Sequence, residues 1–398
     1  MTGAARACAT LLLALALGGC AQTGSRLGYY WQSLRGHVAL MQAARPLDDW
    51  LSDPATPAPL RSRLEQARQA RAFAVDRLAL PDNASYRRYA QLNRRYAVWN
   101  VVAAPPYALE LHRWCFPVTG CIGYRGYFAQ ADAQAEAARL QAQGLEVSVY
   151  GVPAYSTLGY SNWLGGDPLL STFLGWPEGD FVRLLLHELA HQQVYAEGDT
   201  QFNESYATAV ARLGVALWLA QPGKQAQQRD YAASEQRRRQ WRALTQAARA
   251  ELGRIYAQGA DQAGGQAALA ARKAQAFADW RAAYARLRAQ WLAQGVAPAR
   301  LAGMDDWVRQ ANNASLAAQA AYDGRVDAFV ALFEREGDDW PRFHAAVRDL
   351  ARQDAARRWQ ALDALQPGDA PAGGKSPAQS SAVPAAERDA ATDGREAD

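Results

Sequence analysis

The spacing of apolar residues predicts a mainly helical chain with a small sheet in its first half. From Tyr29 to about Leu80, large apolar side chains recur every three or four residues, as in amphipathic helices, with a proline-rich break before Leu60. Between about Tyr96 and Thr172 the pattern changes to strands and one helix. The segments are two alternating strands at 96–103 and 146–150, a short aromatic segment at 124–128 and a helix at 131–143.

Helical spacing returns in the second half of the chain. Two apolar helices are predicted near 184–194 and 201–220, and two long segments follow that are rich in Ala, Gln and Arg. These long segments read as an antiparallel helical hairpin at about 225–295, broken at Gly259 to Gly265, and mixed apolar helix resumes from Trp307 to Val330. We expect one α+β, predominantly helical domain over 20–365 and a disordered tail over 366–398.

The first of the two apolar helices contains the sequence His187-Glu188-Leu189-Ala190-His191. Residues four apart lie on one face of a helix, so His187 and His191 can hold one Zn²⁺ ion while Glu188 stands beside a metal-bound water as general base. The alternative is a pair of core histidines with satisfied nitrogens. The apolar neighbours favour the metal site, because an unpaired buried imidazole is costly and a metal ion removes that cost.

A catalytic zinc site needs a third protein ligand and leaves a fourth position for water. Glu204 is the expected third ligand because it lies on the second helix, one short turn beyond the first, and small residues after it allow close helix approach. Glu197 and Asp199 compete for this role, but both fall in the polar connection, and Asp199 suits a helix N-cap. The metzincin pattern is excluded, since no Gly and no third His follow His191 at the required positions.

Several further segments accompany the metal motif and Asn203-Glu204. They are Tyr29–Gln32, Trp99–Pro105, Trp114–Val118 with Gly120–Cys121, Tyr124–Phe128 and Ala154–Gly159. With them, the chain from about residue 25 to 365 resembles a bacterial family of predicted lipoprotein zinc aminopeptidases, allied to the gluzincin peptidases. The resemblance implies a gluzincin-like zinc peptidase core, with a small mixed sheet before the zinc helix and a long helical hairpin after it. It also implies a peptide substrate.

Two further parts of a peptidase site are expected. In gluzincin-like sites an edge strand pairs with the substrate backbone, and the segment 154–159 is the candidate, with Tyr155, Ser156 and Thr157 as substrate-binding residues. A plain loop leading to the zinc helix is the open alternative. Tyr322, located after the third ligand, is the candidate donor to the oxyanion of the tetrahedral intermediate, and an ordinary packed tyrosine is its alternative.

The sequence identifies no group that would hold the free amine of a substrate. Glu178, Asp180 and Glu197 are open candidates, so exopeptidase action is an expectation from the resemblance. Arg125 is equally open, because it could bind a substrate carboxylate or form a structural ion pair.

The start of the chain has the pattern of a targeting signal. Arg6 precedes an apolar run from Ala7 to Leu17 that is too short to span a bilayer, and Leu17-Gly18-Gly19-Cys20 has the form of a lipoprotein cleavage site. We expect a signal peptide over 1–19 and an acylated Cys20, and an ordinary secretory signal with a coincidental Cys is the alternative. Ala21, rather than Asp, after Cys20 favours the outer membrane, facing the periplasm.

Two cysteines remain after the signal and the lipidated residue are set aside. Cys115 and Cys121 lie close in sequence and in an expected oxidising compartment, so a disulfide closing a small loop is expected. Metal ligation together with His112 is the alternative.

Composition and charge narrow the functions that the chain can have. The formal net charge of +4 is slight, the basic residues are mixed with acids, and no phosphate-binding loop or dinucleotide fingerprint occurs, so no nucleic-acid partner is expected. The expected protein is a membrane-anchored periplasmic zinc metallopeptidase, in particular an aminopeptidase. A non-catalytic envelope lipoprotein, with a structural or vestigial zinc site and a partner-binding hairpin, is the second hypothesis. The oligomeric state is left open.

Overall fold

Helices form most of the molecule. The computed structural model describes residues 26–116, 120–157, 165–259, 265–319 and 325–365. Cys20, Tyr322 and the tail over 366–398 lie outside these residues. The helices are α1 Arg26–Ala43, α2 Leu47–Ser52, α3 Ala58–Leu78, α4 Gln130–Gln141, α5 Ser171–Leu174, α6 Glu178–His191, α7 Thr200–Leu219, α8 Gln225–Ala257, α9 Gly265–Ala293, α10 Pro298–Gln310, α11 Asn313–Gln319, α12 Val326–Arg335, α13 Trp340–Ala351 and α14 Ala355–Asp363.

Short strands form three small sheets before α6. The strands are β1 Ala44–Pro46, β2 Arg88–Ala90, β3 Val98–Ala104, β4 Trp114–Phe116, β5 Gly120–Ile122, β6 Arg125–Tyr127, β7 Glu146–Val152 and β8 Leu169–Leu170. Their orders are β1-β2-β8, β6-β3-β7 and β4-β5, and only the pairing of β2 with β8 is parallel. The predicted α+β, mainly helical class with a small mixed sheet is therefore confirmed.

The sheet around β3 contains both strands expected at 96–103 and 146–150, but β3 is buried over nearly its whole length and neither strand alternates between buried and exposed residues. In this sheet Asn100 is opposite Gly126 on one side and Tyr150 on the other. Helix α4 packs against β3 and β7 and contributes Ala133, Ala137 and Leu140 to a buried cluster. The edge strand β7 runs directly into the segment that carries Tyr155.

A disulfide joins Cys115 on β4 to Cys121 on β5, which are paired residues of this short hairpin. The strands of this hairpin lie beside the connection between α6 and α7, where Arg113 donates to the carbonyl oxygens of Cys121 and Gly198. His112 instead packs its ring edge-on against Trp114. The cysteines are thus used in cross-linking and not as metal ligands.

Helices α8 and α9 form the predicted antiparallel hairpin. Gln240 accepts a hydrogen bond from the indole of Trp291, whereas nearer the hairpin's turn Arg272 donates to Gln258. Between these points Trp241 packs against Trp280 and Tyr284. Aromatic contacts therefore hold the two helices together, in a cluster separate from the main core.

The main core surrounds the packed pair α6 and α7. The apolar side of α6 buries Phe181, Leu185 and Leu189 completely or almost so. Gly214 on α7 allows the close approach of the two helices, since a Cβ atom there would lie 2.7 Å from methyl carbons of both Leu186 and Leu78. The pair that carries the metal motif is thus a rigid part of the interior. Among the described residues, no helix is both long and apolar enough to cross a bilayer.

The start of α7 is fixed by Asp199. Its carboxylate accepts a hydrogen bond from the N–H of Phe202 at 3.0 Å, which is an N-cap interaction, and its second oxygen lies 2.6 Å from Nη1 of Arg358 on α14. Both members of this ion pair are largely buried. The preference for Asp199 as a cap over Asp199 as a ligand therefore agrees with the structure.

Replacing Asp199 with alanine should lower the free energy of unfolding by about 3 kcal/mol. Roughly 1 kcal/mol of this loss is the N-cap, and the rest reflects a buried guanidinium that keeps only backbone acceptors. Chemical denaturation followed by circular dichroism measures the change. Asp339→Ala is the matched control, because Asp339 caps α13 in an exposed position and its loss should cost only about 1 kcal/mol. Equal losses in the two variants would contradict the prediction.

Candidate metal centre

The last turn of α6 brings His187 and His191 together. The two residues are separated by one helical turn, and their Nε2 atoms lie 3.2 Å apart with the rings edge to face. The helix ends at His191, after which Gln192 and Gln193 form a turn. Both imidazoles are mostly buried, and His187 retains a small accessible surface.

Glu204 on α7 faces the two histidines. Its Oε2 lies 3.2 Å from Nε2 of His187 and its Oε1 lies 3.7 Å from Nε2 of His191. The preceding residue sets the position of this turn, because the Asn203 amide donates to the carbonyl of Ala196 at 2.8 Å and accepts from its N–H at 2.7 Å. Asn203 thus fastens the connection between the helices next to the carboxylate.

These three residues have the donor set and spacing of a metal site. The two nitrogens and the carboxylate are the ligand types of zinc, and bonds of about 2.0–2.1 Å to a tetrahedral ion would place donor atoms about 3.3 Å apart. The observed separations of 3.2, 3.2 and 3.7 Å are close to that value. The two Nε2 atoms and the carboxylate oxygens of Glu204 face one another. The carboxylate only accepts hydrogen bonds, and a neutral imidazole has a single N–H, so a cation between the three residues would satisfy all of their lone pairs. His187, His191 and Glu204 could therefore hold a metal ion.

Burial and mutual charge keep the group in its ligating protonation states. Burial lowers the pKa of His191 to about 4, which favours the neutral imidazole. Burial alone would raise the pKa of Glu204, but His191 and His187 outweigh it and lower the pKa below its usual value. A neutral histidine and an ionised carboxylate are the forms that bind metal.

Glu188 lies beside the metal group and is half-buried. Burial raises its pKa from 4.5 to about 7, His187 opposes that shift, and the negative charges of Glu204 and Asp167 add to it. A carboxylate with a pKa near neutrality can accept a proton and release it again under ordinary conditions. The pKa of Glu188 is thus raised whereas the pKa of Glu204 is lowered, so Glu188 exchanges its proton near neutral pH and Glu204 stays ionised.

The raised pKa of Glu188 predicts a pH-dependent stability of the metal-free protein. A carboxyl group whose pKa rises on folding stabilises the fold below its unfolded pKa of 4.5, and this contribution is lost as the pH rises through 7. Glutamine stays neutral at all pH values. Metal-free Glu188→Gln should therefore match the parent protein below pH 4.5 and exceed it above pH 7, by no more than about 3 kcal/mol.

Thermal unfolding of both metal-free proteins across this range measures the difference. Glu251→Gln is the control, because Glu251 is exposed on α8 and its hydrogen bond with Arg254 lowers its pKa. Glu251 is therefore ionised in both the folded and the unfolded protein above about pH 5.5, and its substitution should leave the pH dependence above that value unchanged. A constant offset between the Glu188→Gln and parent proteins at every pH would contradict the assignment.

The expected substrate-binding segment lies against Glu188. The side chain of Ser156 interacts with the Glu188 carboxylate, and the hydroxyl of Tyr155 lies 3.2 Å from Nδ1 of His37 on α1. Thr157 completes the described part of the segment, and residues 158 and 159 lie outside it. The structure thus brings Ser156 beside Glu188, whereas Tyr155 packs between the main core and His37. The segment Tyr155–Thr157 is called the rim below.

Asp167 fastens this rim to the core. Its fully buried carboxylate accepts from the N–H of Thr157 at 2.9 Å, from the Thr157 hydroxyl at 2.7 Å and from the Ser156 hydroxyl at 3.4 Å. Its own N–H donates to Ser85 Oγ at 3.0 Å, and its carbonyl accepts from Tyr86. The sequence did not single out Asp167. It stands in a loop far from the motif, and only the fold brings it to the site.

Three tyrosines also surround the carboxylates. Tyr86 is buried, adopts a left-handed backbone with φ of 63°, and lies near Glu188 and Asp167. Tyr124 and Tyr150 lie near Glu204, and burial followed by the nearby negative charge raises the pKa of Tyr124. These phenols stay protonated at neutral pH and can donate hydrogen bonds. Tyr124 begins the segment Tyr124–Phe128, which contributes to the family resemblance, but no spacing in the sequence predicts that its side chain lies beside Glu204.

Three other residues that the sequence left open as substrate-binding groups form ion pairs outside the metal group. Arg125 is buried, its Nη1 lies 3.2 Å from Glu136, and its guanidinium stacks over Tyr29, so it forms the structural ion pair. Glu178 and Asp180 occupy the first turn of α6, about 13 Å and about 10 Å along the axis from His187, and pair with Lys224 and Arg238 respectively.

The chain combines a mainly helical α+β fold with a histidine-histidine-carboxylate group that could hold a metal ion. Residues 28–362 match a protein family described as "Putative aminopeptidase", and the chain belongs to this family. The expected family is therefore confirmed over most of the chain, and membership indicates peptidase activity on peptide substrates. Searches of curated proteins and of solved structures find no match to the chain.

Proposed function

We propose that the protein is a zinc-dependent aminopeptidase with a gluzincin-like core. The observation that carries the proposal is the convergence of His187, His191 and Glu204 at metal-ligand distances, with Glu188 beside them. Zinc is favoured over Mg²⁺ or Ca²⁺, which prefer oxygen ligands, because two of the three donors are imidazole nitrogens. Family membership favours the amino-terminal mode of cleavage.

Each residue has a defined part in the proposed reaction. His187, His191 and Glu204 hold the metal ion, which when bound polarises the scissile carbonyl and lowers the pKa of the attacking water. Glu188 accepts a proton from this water and then donates it to the leaving amine. Its pKa of about 7 suits both transfers. Tyr124 and Tyr150, near Glu204, are the proposed donors to the developing oxyanion. Tyr322, the candidate for this role in the sequence, lies outside the described residues.

The rim formed by Tyr155, Ser156 and Thr157 is proposed to bind the substrate backbone. It continues from β7, which is an edge strand of its sheet, and an extended peptide can add to such an edge by main-chain hydrogen bonds. Asp167 holds the rim at a fixed distance from Glu188, so that a bound peptide would present its carbonyl to the site.

Replacing Asp167 with asparagine should raise KM for a peptide about tenfold and lower kcat less. Asparagine keeps one acceptor oxygen, and its NH2 group can only donate to the Thr157 hydroxyl, so the two charge-assisted hydrogen bonds to Thr157 become weaker neutral ones and the rim loosens. The metal affinity should stay unchanged. Steady-state kinetics together with metal titration separate these effects, with Asp82→Asn on the surface as control. An unchanged KM would exclude the rim from substrate binding.

The test of the proposed function is hydrolysis by the zinc-loaded protein of aminoacyl reporters and internally quenched peptides, with Glu188→Gln as the paired control. Cleavage of aminoacyl reporters alone supports an aminopeptidase, and cleavage of blocked internal peptides indicates an endopeptidase. If the parent protein and Glu188→Gln both bind zinc and neither cleaves any substrate, the non-catalytic lipoprotein hypothesis is favoured. The hairpin α8–α9 would then be the surface on which to seek a partner.

We also propose attachment of the protein to the outer membrane through an acylated Cys20, facing the periplasm. The support is the sequence Leu17-Gly18-Gly19-Cys20 after a short apolar run. The disulfide between Cys115 and Cys121 suits an oxidising compartment of this kind. Intact-mass measurement of the protein extracted from membranes tests the attachment.

A further inference from the structure

Helix α1 carries an exposed apolar stripe. Tyr30, Trp31, Leu34 and Val38 are 45%, 65%, 56% and 41% exposed, and they include most of the large exposed apolar side chains among the described residues. At 100° per residue, Tyr30, Leu34, Val38 and Trp31 fall within about 100° of the helix circumference. Single exposed apolar residues are common on protein surfaces, but four on one face of one helix form a patch.

The opposite face of α1 is firmly packed on the domain. Gln32 donates to the carbonyl of Gly126 and accepts from the N–H of Phe128, while Leu40 is buried. Gly36 lies directly against Phe128, whose ring a Cβ atom at position 36 would overlap. The helix therefore cannot turn to bury its stripe without losing these contacts. The stripe is a fixed outer surface.

The position of α1 in the chain indicates what covers the stripe. The helix begins at Arg26, six residues after Cys20, and six extended residues reach at most about 20 Å. A lipid on Cys20 would therefore keep the stripe close to the bilayer surface. The C-terminal tail is a poor alternative cover, because residues 366–398 contain one valine and no larger apolar side chain.

The chemistry of the helix fits a lipid surface. Tyr and Trp favour the boundary between headgroups and acyl chains, and Leu34 and Val38 add aliphatic surface between them. The helix contains Arg26 and Arg35 and no acidic residue, which favours anionic headgroups. We propose that the stripe of α1 inserts into the interfacial region of the bilayer and sets the orientation of the anchored domain. This proposal goes beyond the peptidase function and rests only on the proposed anchor.

The docking would place the metal site near the membrane. His37 lies on α1 about 20° from Tyr30, at the edge of the stripe, and contacts Tyr155 of the substrate-binding rim. The rim would then lie within about one helix diameter, roughly 10 Å, of the lipid surface. Peptides held at the membrane surface would have the shortest path to the site.

Spin labels on the intact protein test the proposal. The full chain, processed by the cell and extracted from membranes, would carry either Leu34→Cys or Ala39→Cys and be reconstituted into vesicles of phosphatidylethanolamine with phosphatidylglycerol. Ala39 is the matched control, since it is exposed on the same helix but lies outside the stripe. We expect the ratio of oxygen accessibility to nickel-chelate accessibility to be several times higher at position 34 than at position 39.

Two outcomes would overturn the proposal. Equal accessibility of both labels to the nickel chelate would leave the stripe in water. A label at position 34 that is shielded from oxygen and from the chelate, with dipolar coupling between two labels, would mean that a second copy covers it. Failure of the anchor is detected separately, because the unsubstituted protein would take up label at a free Cys20 and leave the membrane fraction. Vesicles added to that soluble protein then test the stripe alone.

Discussion

Glu188→Gln should lower kcat for peptide hydrolysis by at least about a hundredfold, and up to about ten-thousandfold, without loss of the metal ion. Glutamine keeps the size of the side chain and can still contact Ser156, but it cannot accept a proton from the attacking water. The three ligands are untouched, so zinc affinity should remain within a few-fold of the parent protein. Steady-state kinetics and a competitive zinc titration measure the two quantities on the same preparation.

The control for this experiment is an exposed glutamate outside the site. Glu251→Gln removes a surface carboxylate on α8 that pairs with Arg254, and kcat should not change. A Glu188→Gln protein with more than about a tenth of the parent activity would show that another group takes the proton. A protein that lost zinc as well as activity would show that Glu188 contributes to metal binding.

Glu204→Ala should lower the affinity for zinc by more than a hundredfold. Mutation of residues that merely orient metal ligands costs about 10- to 100-fold, and loss of one of three direct ligands should cost more. His187 and His191 would remain as a pair on one helix. The free energy of unfolding of the metal-free protein should change by less than it would on truncation of a large apolar core residue. The alanine removes the contacts of the buried carboxylate, but it also removes the cost of burying that charge.

Glu197→Ala is the matched control for the ligand assignment. Glu197 lies in the connection between α6 and α7 and was the competing carboxylate in the sequence, but the structure places it on the exposed turn. Isothermal titration of the metal-free proteins with zinc should give parent-like affinity for this variant. If the Glu197 variant loses zinc and the Glu204 variant keeps it, the third ligand has been assigned to the wrong residue.

The features visible in the sequence are those that depend on local spacing. His187 and His191 meet because four residues make about one helical turn, and this holds wherever the helix lies in the fold. The strands β3 and β7 are seven residues long each and contain three valines and one large aromatic residue, a composition that favours strands without any help from the rest of the fold. Asp199 has the side chain and position of an N-cap, and that role is also local.

The features that the sequence did not predict depend on contacts between distant segments. Strands β1, β2 and β8 have two or three residues each, too few for an alternating pattern, and they form only because other segments pair with them. Asp167 and Tyr86 lie in loops and belong to no motif, and only the folding of the chain places them near Glu188. The ion pair of Arg125 with Glu136 joins a strand to a helix, so the sequence alone left Arg125 open as a substrate-binding residue.

The junction made by Asp167 separates two tasks in this molecule. The helices with the candidate ligands belong to the main core, whereas the rim lies at the edge of that core, where Tyr155 packs against it and Thr157 is held by the carboxylate of Asp167. Substitutions in the rim are therefore expected to change the proposed peptide selectivity while the histidines keep their positions. The segment around Tyr155 is thus the place at which to begin redesigning that selectivity.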